Sequence, residues 1–524
     1  MRGFITSILT AIAITSLHAE PNTPIRPKLI VGLTVDQLNT ELIEAYWSLY
    51  GEKGFKKLWK EGQVYKQTDF PLTAIDRSSA TATINTGTTP SVHGIIANEW
   101  LDLSTMQPQS CVYDANFMGN YTTLFSSPKS LLSSTITDQL KIASQGKSIV
   151  YSIAPEADMA ILSAGHSADA ALWFNQESGL WCGTTYYKDF PWWASKHNEI
   201  NGLPYREEEL DWSPGLDTDR YITSYNGRKK TFKYNLLTPR DVRYQRVTKS
   251  PLINKEVILL AKEVLDKSDI GEDDSPDFLQ LSLYGGIEFG TNEAFSLESQ
   301  DTYVRLDKNI EDLLQAIDSK IGLRNTLFIL TSTGYNDNYP ASTLESHQVP
   351  TGEFYLNRCA ALLNMYLMAT YGEGQYIEAY HDLQIYLNHD LLENKELDIV
   401  EIQEKSALFL SQFSGVNEVY YANDLLLGSW NPQKGLRRNS FHKKRSGDLL
   451  LEIMPGWQIV NKDDSRTTVN YSAVQAPTVF LGEGFKPAII ATPIEVEAIA
   501  PTIAKTIRIR APNASKTTAI KINK

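Results

Sequence analysis

Short apolar runs recur along the chain, and most of them are continuous rather than alternating with polar residues. They lie at 28–34, 147–153, 278–283, 327–331, 448–453 and 478–481. A continuous apolar run of this length is typical of a strand that is buried on both faces of a sheet. The pattern therefore predicts six interior strands.

Apolar residues at helical spacing fill the intervals between these runs. The segments 40–58, 257–266 and 301–317 are predicted helices. In the last one an apolar face is formed by Tyr303, Leu306, Ile310, Leu313, Leu314 and Ile317. Alternating strands and helices predict an α/β fold in which helices cover both faces of the sheet.

Two stretches interrupt this alternation. Segment 175–250 is rich in Trp, Tyr, Pro and charged residues, and segment 335–446 is long and mixed. In α/β proteins such stretches usually lie at the carboxyl edge of the sheet, where sites form. We interpret the aromatic run 181–193 as packing of an inserted subdomain; a ligand-facing aromatic patch is the alternative.

Composition narrows the possible partners. The 524 residues are 42% hydrophobic and 21% charged, which is typical of a globular protein. The formal net charge is −13. Nucleic acid and anionic membranes both require a basic face, so neither is expected as the main partner. The expected partner is therefore an unknown protein or ligand.

The amino terminus has the pattern of a secretory signal peptide at 1–19. Arg2 precedes the mostly apolar stretch 5–17, and Ala19 supplies a small residue before the cut. A polar, Pro-containing linker follows at 20–27. We therefore expect export to the periplasm or secretion. No later segment reaches the roughly 18 apolar residues of a membrane span, so no transmembrane segment is expected in the mature chain.

The three cysteines, Cys111, Cys182 and Cys359, lie far apart and form no CxxC motif. This spacing excludes a zinc knuckle and a thioredoxin-like site. An exported chain can join one pair as a disulfide, but the spacing does not say which pair.

Several sequence blocks resemble the alkaline phosphatase superfamily. PKLIVGLTVDQL and GFKKLWKEG are similar to its opening strand and helix, and the blocks that follow keep the family's order. They are INTGTTPSVHGIIANEW, ILSAGHSADAALWF, DTYVRLDKNIEDLL, TGEFYLNRCAALLNMYLMATYG, GDLLLEIMPGW and IEVEAIAPTIA. They look most like the bacterial branch of monoesterases that resembles type I phosphodiesterases and nucleotide pyrophosphatases.

The resemblance covers 28–510 and implies a fold for that range. The expected fold is an alkaline-phosphatase-like three-layer sandwich with a central, mostly parallel sheet. Cap segments are inserted at about 175–250 and 335–446, and a tail follows at 511–524.

The resemblance also implies a site with two zinc ions and a Thr or Ser nucleophile, in which the metals neutralise developing charge. Asp36 in LTVDQ matches the first metal-binding Asp, and Asn98 in IIANEW matches an Asn that binds phosphate. The nucleophile position, ten residues before the Gly of INTG, is Arg77, which stays protonated and cannot attack. Ser78 and Ser79 could replace it only if the loop shifted, and the spacing argues against a shift.

The other ligand positions implied by the family carry residues that do not bind zinc. They are Ile287, Thr291, Thr333, Gly334 and Gln475. Glu288 and Asp337 are the nearest carboxylates, and they could substitute only in rebuilt turns. A relocated metal site is the alternative, with His347, His381 and His389 in or near the inserted part.

The family's phosphate-binding Lys and Arg, two residues apart, correspond to Glu156 and Asp158. Two positive charges are thus replaced by negative ones, and each like charge costs on the order of 1 kcal/mol or more for a bound phosphate. The expected remnant site comprises Asp36, Arg77, Asn98, Glu156 and Asp158. We interpret Arg77 as filling the volume of a metal and pairing with Asp36. The alternative is that Arg77 and Asn98 still bind an anion.

Three functions follow from this reading. The first is an exported, catalytically inactive pseudoenzyme that binds a protein or ligand, with no catalytic residue, metal or cofactor expected. The second is a phosphate- or sulfate-ester hydrolase with zinc in a rebuilt site, which requires neighbours to replace Ile287, Thr291 and Gln475. The third is a small-molecule or glycan-binding protein that uses the old cleft.

Overall fold

The centre of the fold is a ten-stranded sheet. The computed structural model describes residues 26–73, 75–222, 231–238, 244–286, 288–289, 295–336, 351–429, 431–461, 465–469 and 474–522. The sheet strands are β1 Leu29–Asp36, β2 Gln63–Tyr65, β3 Gly119–Asn120, β4 Val150–Ala154, β5 Ala170–Phe174, β6 Trp181–Thr184, β7 Asp277–Tyr284, β8 Thr326–Ser332, β9 Thr478–Leu481 and β10 Ala488–Ile490. Their order is β10-β2-β9-β8-β1-β7-β4-β5-β6-β3. The five neighbours from β8 to β5 are parallel, as the sequence predicts.

Helices cover both faces of this sheet. One face carries α1 Thr40–Ala45, α2 Phe55–Glu61, α6 Trp192–Asn201, α7 Leu252–Lys267 and α8 Leu297–Lys320. The other carries α3 Arg77–Thr86, α4 Ile136–Ala143, α5 Ala157–Ala164 and α11 Ile499–Ile507. Strand β1 is buried at all eight positions because its side chains alternate between the hydrophobic cores on the two faces of the sheet. Leu29 and Val31 pack in the core on one face, and Ile30 packs in the core on the other. This arrangement is the expected three-layer sandwich.

A second, smaller unit follows β8. Its antiparallel four-stranded sheet contains, in sheet order, Ile377–His381, Gln384–Leu387, Leu449–Ile453 and Val416–Tyr421. Helices α9 Leu356–Tyr371 and α10 Ile399–Leu410 pack on it and give it a hydrophobic core of its own. The apolar run 448–453 is therefore a strand as predicted, but it lies in this sheet rather than in the central one.

Shorter elements complete the described part of the chain. The remaining helices are Pro90–His93, Gln245–Thr248, His389–Asn394, Ala422–Leu427 and Pro432–Ser440. The remaining strands are Thr68–Asp69, Glu99–Asp102, Gln107–Ser110, Asp211–Trp212, Tyr234–Asn235, Glu353–Phe354, Gln458–Val460, Arg466–Thr468 and Ile494–Glu495.

The prediction of one helix over 40–58 is wrong, because the chain turns between α1 and α2. A 3₁₀ turn, Trp47–Leu49, follows α1. The buried carboxylate of Asp307 on α8 then accepts the backbone N–H groups of Gly51 at 2.9 Å and Phe55 at 2.7 Å. A Cβ on Gly54 would lie 2.2 Å from the same carboxylate. The spacing of apolar residues in 40–58 does not reveal that Asp307, far away in the sequence, binds this segment.

Most aromatic side chains of the run 181–193 are buried or half-buried. Trp181 lies in β6 and Trp193 in α6, and each is 2% exposed, whereas Trp192 is 63% exposed. The start of this run therefore belongs to the central sheet, and its main role is packing.

The structure does not test the predicted signal peptide, and it shows no disulfide among the three cysteines. Residues 1–19 lie outside the described part of the chain. Among the described residues, no helix is long and apolar enough to cross a membrane. Cys111, Cys182 and Cys359 are buried and unpaired with one another, so no disulfide joins them.

Candidate active site

A cavity of about 220 Å³ opens at the carboxyl end of β1. Its charged and amide side chains are Asp36, Gln37, Arg77, Asn98, Glu156, Lys249 and Glu288. Four of the five residues of the expected remnant site are therefore brought together here. The fifth, Asp158, does not line the cavity but lies behind Arg77.

A capping box fixes the start of α3 at Arg77. The Asp76 carboxylate accepts the N–H of Ser79 at 2.8 Å, and the Ser79 hydroxyl accepts the N–H of Asp76 at 3.1 Å. The second carboxylate oxygen of Asp76 accepts the N–H of Asn98 at 2.5 Å. Burial raises the pKa of Asp76 to about 6, although these hydrogen bonds act to lower it. The cap therefore holds Arg77 and Asn98 beside each other.

Arg77 forms a two-pronged ion pair with Asp158. Its Nε donates to Oδ2 at 2.8 Å and its Nη2 to Oδ1 at 3.0 Å. Asp158 lies in the first turn of α5 and is 7% exposed. Burial acts to raise the pKa of Asp158, but the guanidinium charge and its hydrogen bonds outweigh burial and leave the pKa below its ordinary value. The same pairing raises the pKa of Arg77 despite burial.

The expected pairing of Arg77 with Asp36 is therefore wrong. Asp36 acts on Arg77 only through longer-range charge, after Asp158 and Glu156. A planar guanidinium matches a carboxylate best when two parallel N–H groups meet two oxygens, and Asp158 provides that geometry. The guanidinium consequently joins α3 to α5 rather than to β1.

Neither neighbouring serine lines the cavity. Ser78 is fully buried, and its hydroxyl donates to Asp158 at 2.6 Å and accepts from the Cys111 thiol at 3.3 Å. The N–H of Ser78 donates to Asn98 Oδ1 at 3.1 Å. Ser79 belongs to the capping box. At this turn Arg77, rather than either serine, faces the cavity.

Thr333 supports the backbone just after Asp36. Its hydroxyl donates to Asp36 Oδ1 at 2.9 Å and accepts the N–H of Gln37 at the same distance. Gln37 has a positive φ of 63°, which is unusual for a residue other than glycine. Thr333 thus stabilises a turn at a position where the family has a metal ligand.

Two further family ligand positions, Gly334 and Gln475, do not line the cavity. Gly334 has φ 77°, and a Cβ there would lie 2.2 Å from the Phe70 ring, so the ring occupies the side-chain space. Gln475 is exposed, and its carbonyl accepts the N–H of Thr40 at 2.7 Å. Ile287, Thr291 and Asp337 lie outside the described residues.

The cap segment contributes residues that sequence reasoning missed. Lys249 lines the cavity, and its ammonium lies 3.3 Å from Glu288. Gln176 donates to Glu156 at 2.8 Å and to Thr248 at 3.2 Å. Burial raises the pKa of Glu156, although the charge of Arg77 acts to lower it. Lys249 lies in segment 175–250, where no sequence motif indicates that this lysine lines the cavity.

The described donors at this site do not form a set that fits zinc. Within the described part of the chain, no three His, Cys, Asp or Glu side chains are close enough together to hold a metal ion. Thr333 and Gly334 supply no zinc-binding group, and Asp158 is engaged by Arg77. The relocated-site alternative receives no support from these residues, and His347 lies outside them.

The sequence matches the type I phosphodiesterase / nucleotide pyrophosphatase family over residues 30–477. The chain belongs to this family. Its relatives include a protein of Myroides odoratus named a calcium-transporting ATPase, 32% identical over 94% of each chain. Alkaline phosphatase PafA of Elizabethkingia meningoseptica is 29% identical over 93% of each chain. Alkaline phosphatase PhoV of Synechococcus elongatus is 28% identical over 94% of this chain and 92% of its own.

The crystal structure of PafA confirms the predicted fold. It superposes with a TM-score of 0.83 at 27% identity, over 94% of this chain and 98% of PafA. The family's α/β architecture with a large, mostly parallel sheet is therefore shared.

A solved PafA variant carries substitutions at spacings that this chain shares. In it a threonine is changed to serine, and an asparagine, a lysine and an arginine are changed to alanine. That threonine and asparagine are 21 residues apart, and the lysine and arginine are two apart. The same spacings separate Arg77 from Asn98 and Glu156 from Asp158.

Proposed function

We propose that this chain is an exported family member that does not hydrolyse phosphate esters and acts by binding a protein or ligand through its cavity. The observation that carries the proposal is the ion pair of Arg77 with Asp158. A guanidinium stands at the nucleophile position and is held there by two hydrogen bonds of 2.8 and 3.0 Å. Arginine cannot give up a proton to become a nucleophile.

The charges of the cavity support the same proposal. A phosphate ester bound beside Arg77 would face the carboxylates of Asp36 and Glu156. Each like charge a few ångströms away costs on the order of 1 kcal/mol or more at the dielectric of a protein surface. Uncatalysed phosphate-monoester hydrolysis is so slow that an enzyme needs strong charge stabilisation, which metals normally supply.

Phosphate-ester hydrolysis is the second candidate function, and the relatives favour it. PafA and PhoV are both named alkaline phosphatases, and the similarity covers more than nine-tenths of each chain. Under this alternative zinc would be required.

Metal content and activity of the same preparation test the proposal. The mature chain is dialysed against zinc-containing and then metal-free buffer and assayed with p-nitrophenyl phosphate and its bis-ester. We expect less than about 0.1 zinc per chain and no turnover, because the site lacks the usual ligand set.

An Asp36→Asn variant serves as the control for contaminating phosphatase. Turnover that is the same in the wild type and in this variant comes from a contaminant. One or two tightly held zinc ions, with turnover lost in the variant, would instead establish the hydrolase.

A further inference from the structure

We propose that the cavity binds an organic cation, through an ammonium or amidinium group, and not a phosphate-like anion. This inference rests on the proposed binding function and names the ligand class. It concerns the same cavity at the carboxyl end of β1.

Both cations that line the cavity already have carboxylate partners. Arg77 is held by Asp158 through two hydrogen bonds, and Lys249 lies 3.3 Å from Glu288. Both cations keep further N–H donors, but a bound anion would share each cation with the carboxylate that already pairs with it. Asp158, which is 7% exposed, already neutralises the charge of Arg77. The two cations therefore offer an anion little net positive charge.

Glu156 has no cation at ion-pair distance among the described residues. It accepts a hydrogen bond from the neutral amide of Gln176 at 2.8 Å and interacts with the neutral Thr248 hydroxyl. Arg77 and Lys249 act on it only through longer-range charge, and burial raises its pKa. A ligand cation beside Glu156 would supply the missing positive charge within a partly desolvated site, where such an interaction is strongest.

The rest of the lining suits a small cation with an uncharged polar group. Tyr284 and Tyr335 both line the cavity, and the face of a phenol ring attracts cations. Asn98 has its Oδ1 held by the N–H of Ser78, so its amide nitrogen is the part that can donate to a ligand. Counting Asp158 behind Arg77, the described cavity residues carry four carboxylates against two cations, an excess of negative charge.

Calorimetric titration of the purified mature chain at low salt tests the inference. The probes are agmatine, putrescine and tetramethylammonium, with sodium phosphate and sodium sulfate as anions. We expect at least one organic cation to bind and neither anion to bind. Glu156→Gln, which keeps the shape and removes the charge, should weaken cation binding at least about tenfold.

Glu177→Gln is the matched control, since Glu177 is an exposed glutamate of the same region that does not line the cavity. It should bind the cation as the wild type does. If Glu156→Gln does not fold, Glu288→Gln replaces it, because freeing Lys249 should weaken cation binding in the same direction.

The outcomes separate this inference from the proposed function. Binding of phosphate without any cation, no binding by any of the three cations, or full cation affinity in Glu156→Gln would each overturn the inference. All three leave a non-hydrolytic binding protein intact. Zinc-dependent turnover of p-nitrophenyl phosphate would overturn the proposed function instead.

Discussion

At the residue scale, Arg77 and Asp158 form one ion pair that joins α3 to α5. PafA has a threonine 21 residues before an asparagine and an arginine two residues after a lysine, and this chain has Arg77 and Asp158 at those spacings from Asn98 and Glu156. A threonine and an arginine together carry one positive charge, whereas Arg77 and Asp158 together carry none. The pair is therefore electrically neutral, and two hydrogen bonds join its members.

Breaking this pair should cost stability. Arg77→Ala leaves Asp158 buried without a cation, and we expect a loss of about 3 kcal/mol in the free energy of unfolding at pH 7. The pKa of Asp158 is depressed in the folded state, so its stabilisation is present above its unfolded pKa and is lost as the pH falls through the folded pKa. Urea unfolding at pH 7 and in the acid range measures both effects.

The double variant Arg77→Ala/Asp158→Asn is the control for this prediction. Removing both charges should recover roughly half of the loss, because no unpaired carboxylate remains buried. Equal stability of Arg77→Ala and the wild type would mean that the pair contributes nothing, and the structural explanation of Arg77 would fail.

The sequence was enough to predict that Asp36, Arg77, Asn98 and Glu156 lie close together, and all four line one cavity. The prediction relied on the spacing of residues within the family blocks, which does not depend on the residue types at the site. It was not enough to find the partner of Arg77. That choice depends on the direction in which a side chain leaves the first turn of a helix, and α3 and α5 come together only in the folded chain.

At the element scale, the carboxyl end of α3 packs tightly against the 3₁₀ turn Val496–Ala498 that precedes α11. Gly87 caps α3 with φ 62°, and a Cβ there would lie 2.9 Å from the carbonyl oxygen of Glu497. The close approach explains why this cap needs glycine. It also places the Glu497 carboxyl in a partly buried position, where burial and the charge of Glu495 raise its pKa to about 7.

The ionisation of Glu497 should make stability fall between about pH 4.5 and 7. Its folded pKa lies above its unfolded value, so the native state binds more protons in this window and loses stability as the pH rises. Glu497→Gln should therefore be more stable than the wild type at pH 8, by about 1–2 kcal/mol after allowance for partial exposure, and similar at pH 4.5.

Urea unfolding at the two pH values checks the prediction. Glu495→Gln, at an exposed neighbour, should give a smaller change of the same sign. A pH profile of Glu497→Gln that parallels that of the wild type would show that Glu497 is ionised without cost.

At the scale of the whole molecule, the alternation of apolar runs and helical patterns was enough to predict the α/β architecture. The sequence could not separate the central sheet from the second one. The run 448–453 and the run 478–481 look alike, since both are short, continuous and apolar, yet Leu449–Ile453 packs in a different core from β9. Only long-range pairing distinguishes them, and a local pattern does not record it.

Arg445 connects the smaller unit to the central one. Its Nη1 donates to the carbonyls of Gly94 and of Ser130, the latter at 2.8 Å, and its guanidinium lies 4.8 Å over the Trp100 ring. The hydrophobic core of the smaller unit does not depend on this contact. Other contacts also join the units, among them the Asn439 amide, which donates to the Pro71 carbonyl at 2.9 Å. We therefore expect removal of the Arg445 contact to loosen the interface locally and to leave both cores intact.

Hydrogen exchange of the full chain carrying Arg445→Ala tests this expectation. Amides near the contact, at 94–100 and 442–447, should exchange faster because two carbonyls lose their donor and the ring loses its cation. Amides of β1 and of Leu449–Ile453 should keep their wild-type protection, since each lies in an intact core. Lys444→Ala, at an exposed neighbour, should leave both regions unchanged. A uniform loss of protection through both sheets would mean instead that they unfold as one cooperative unit, with Arg445 stabilising the whole.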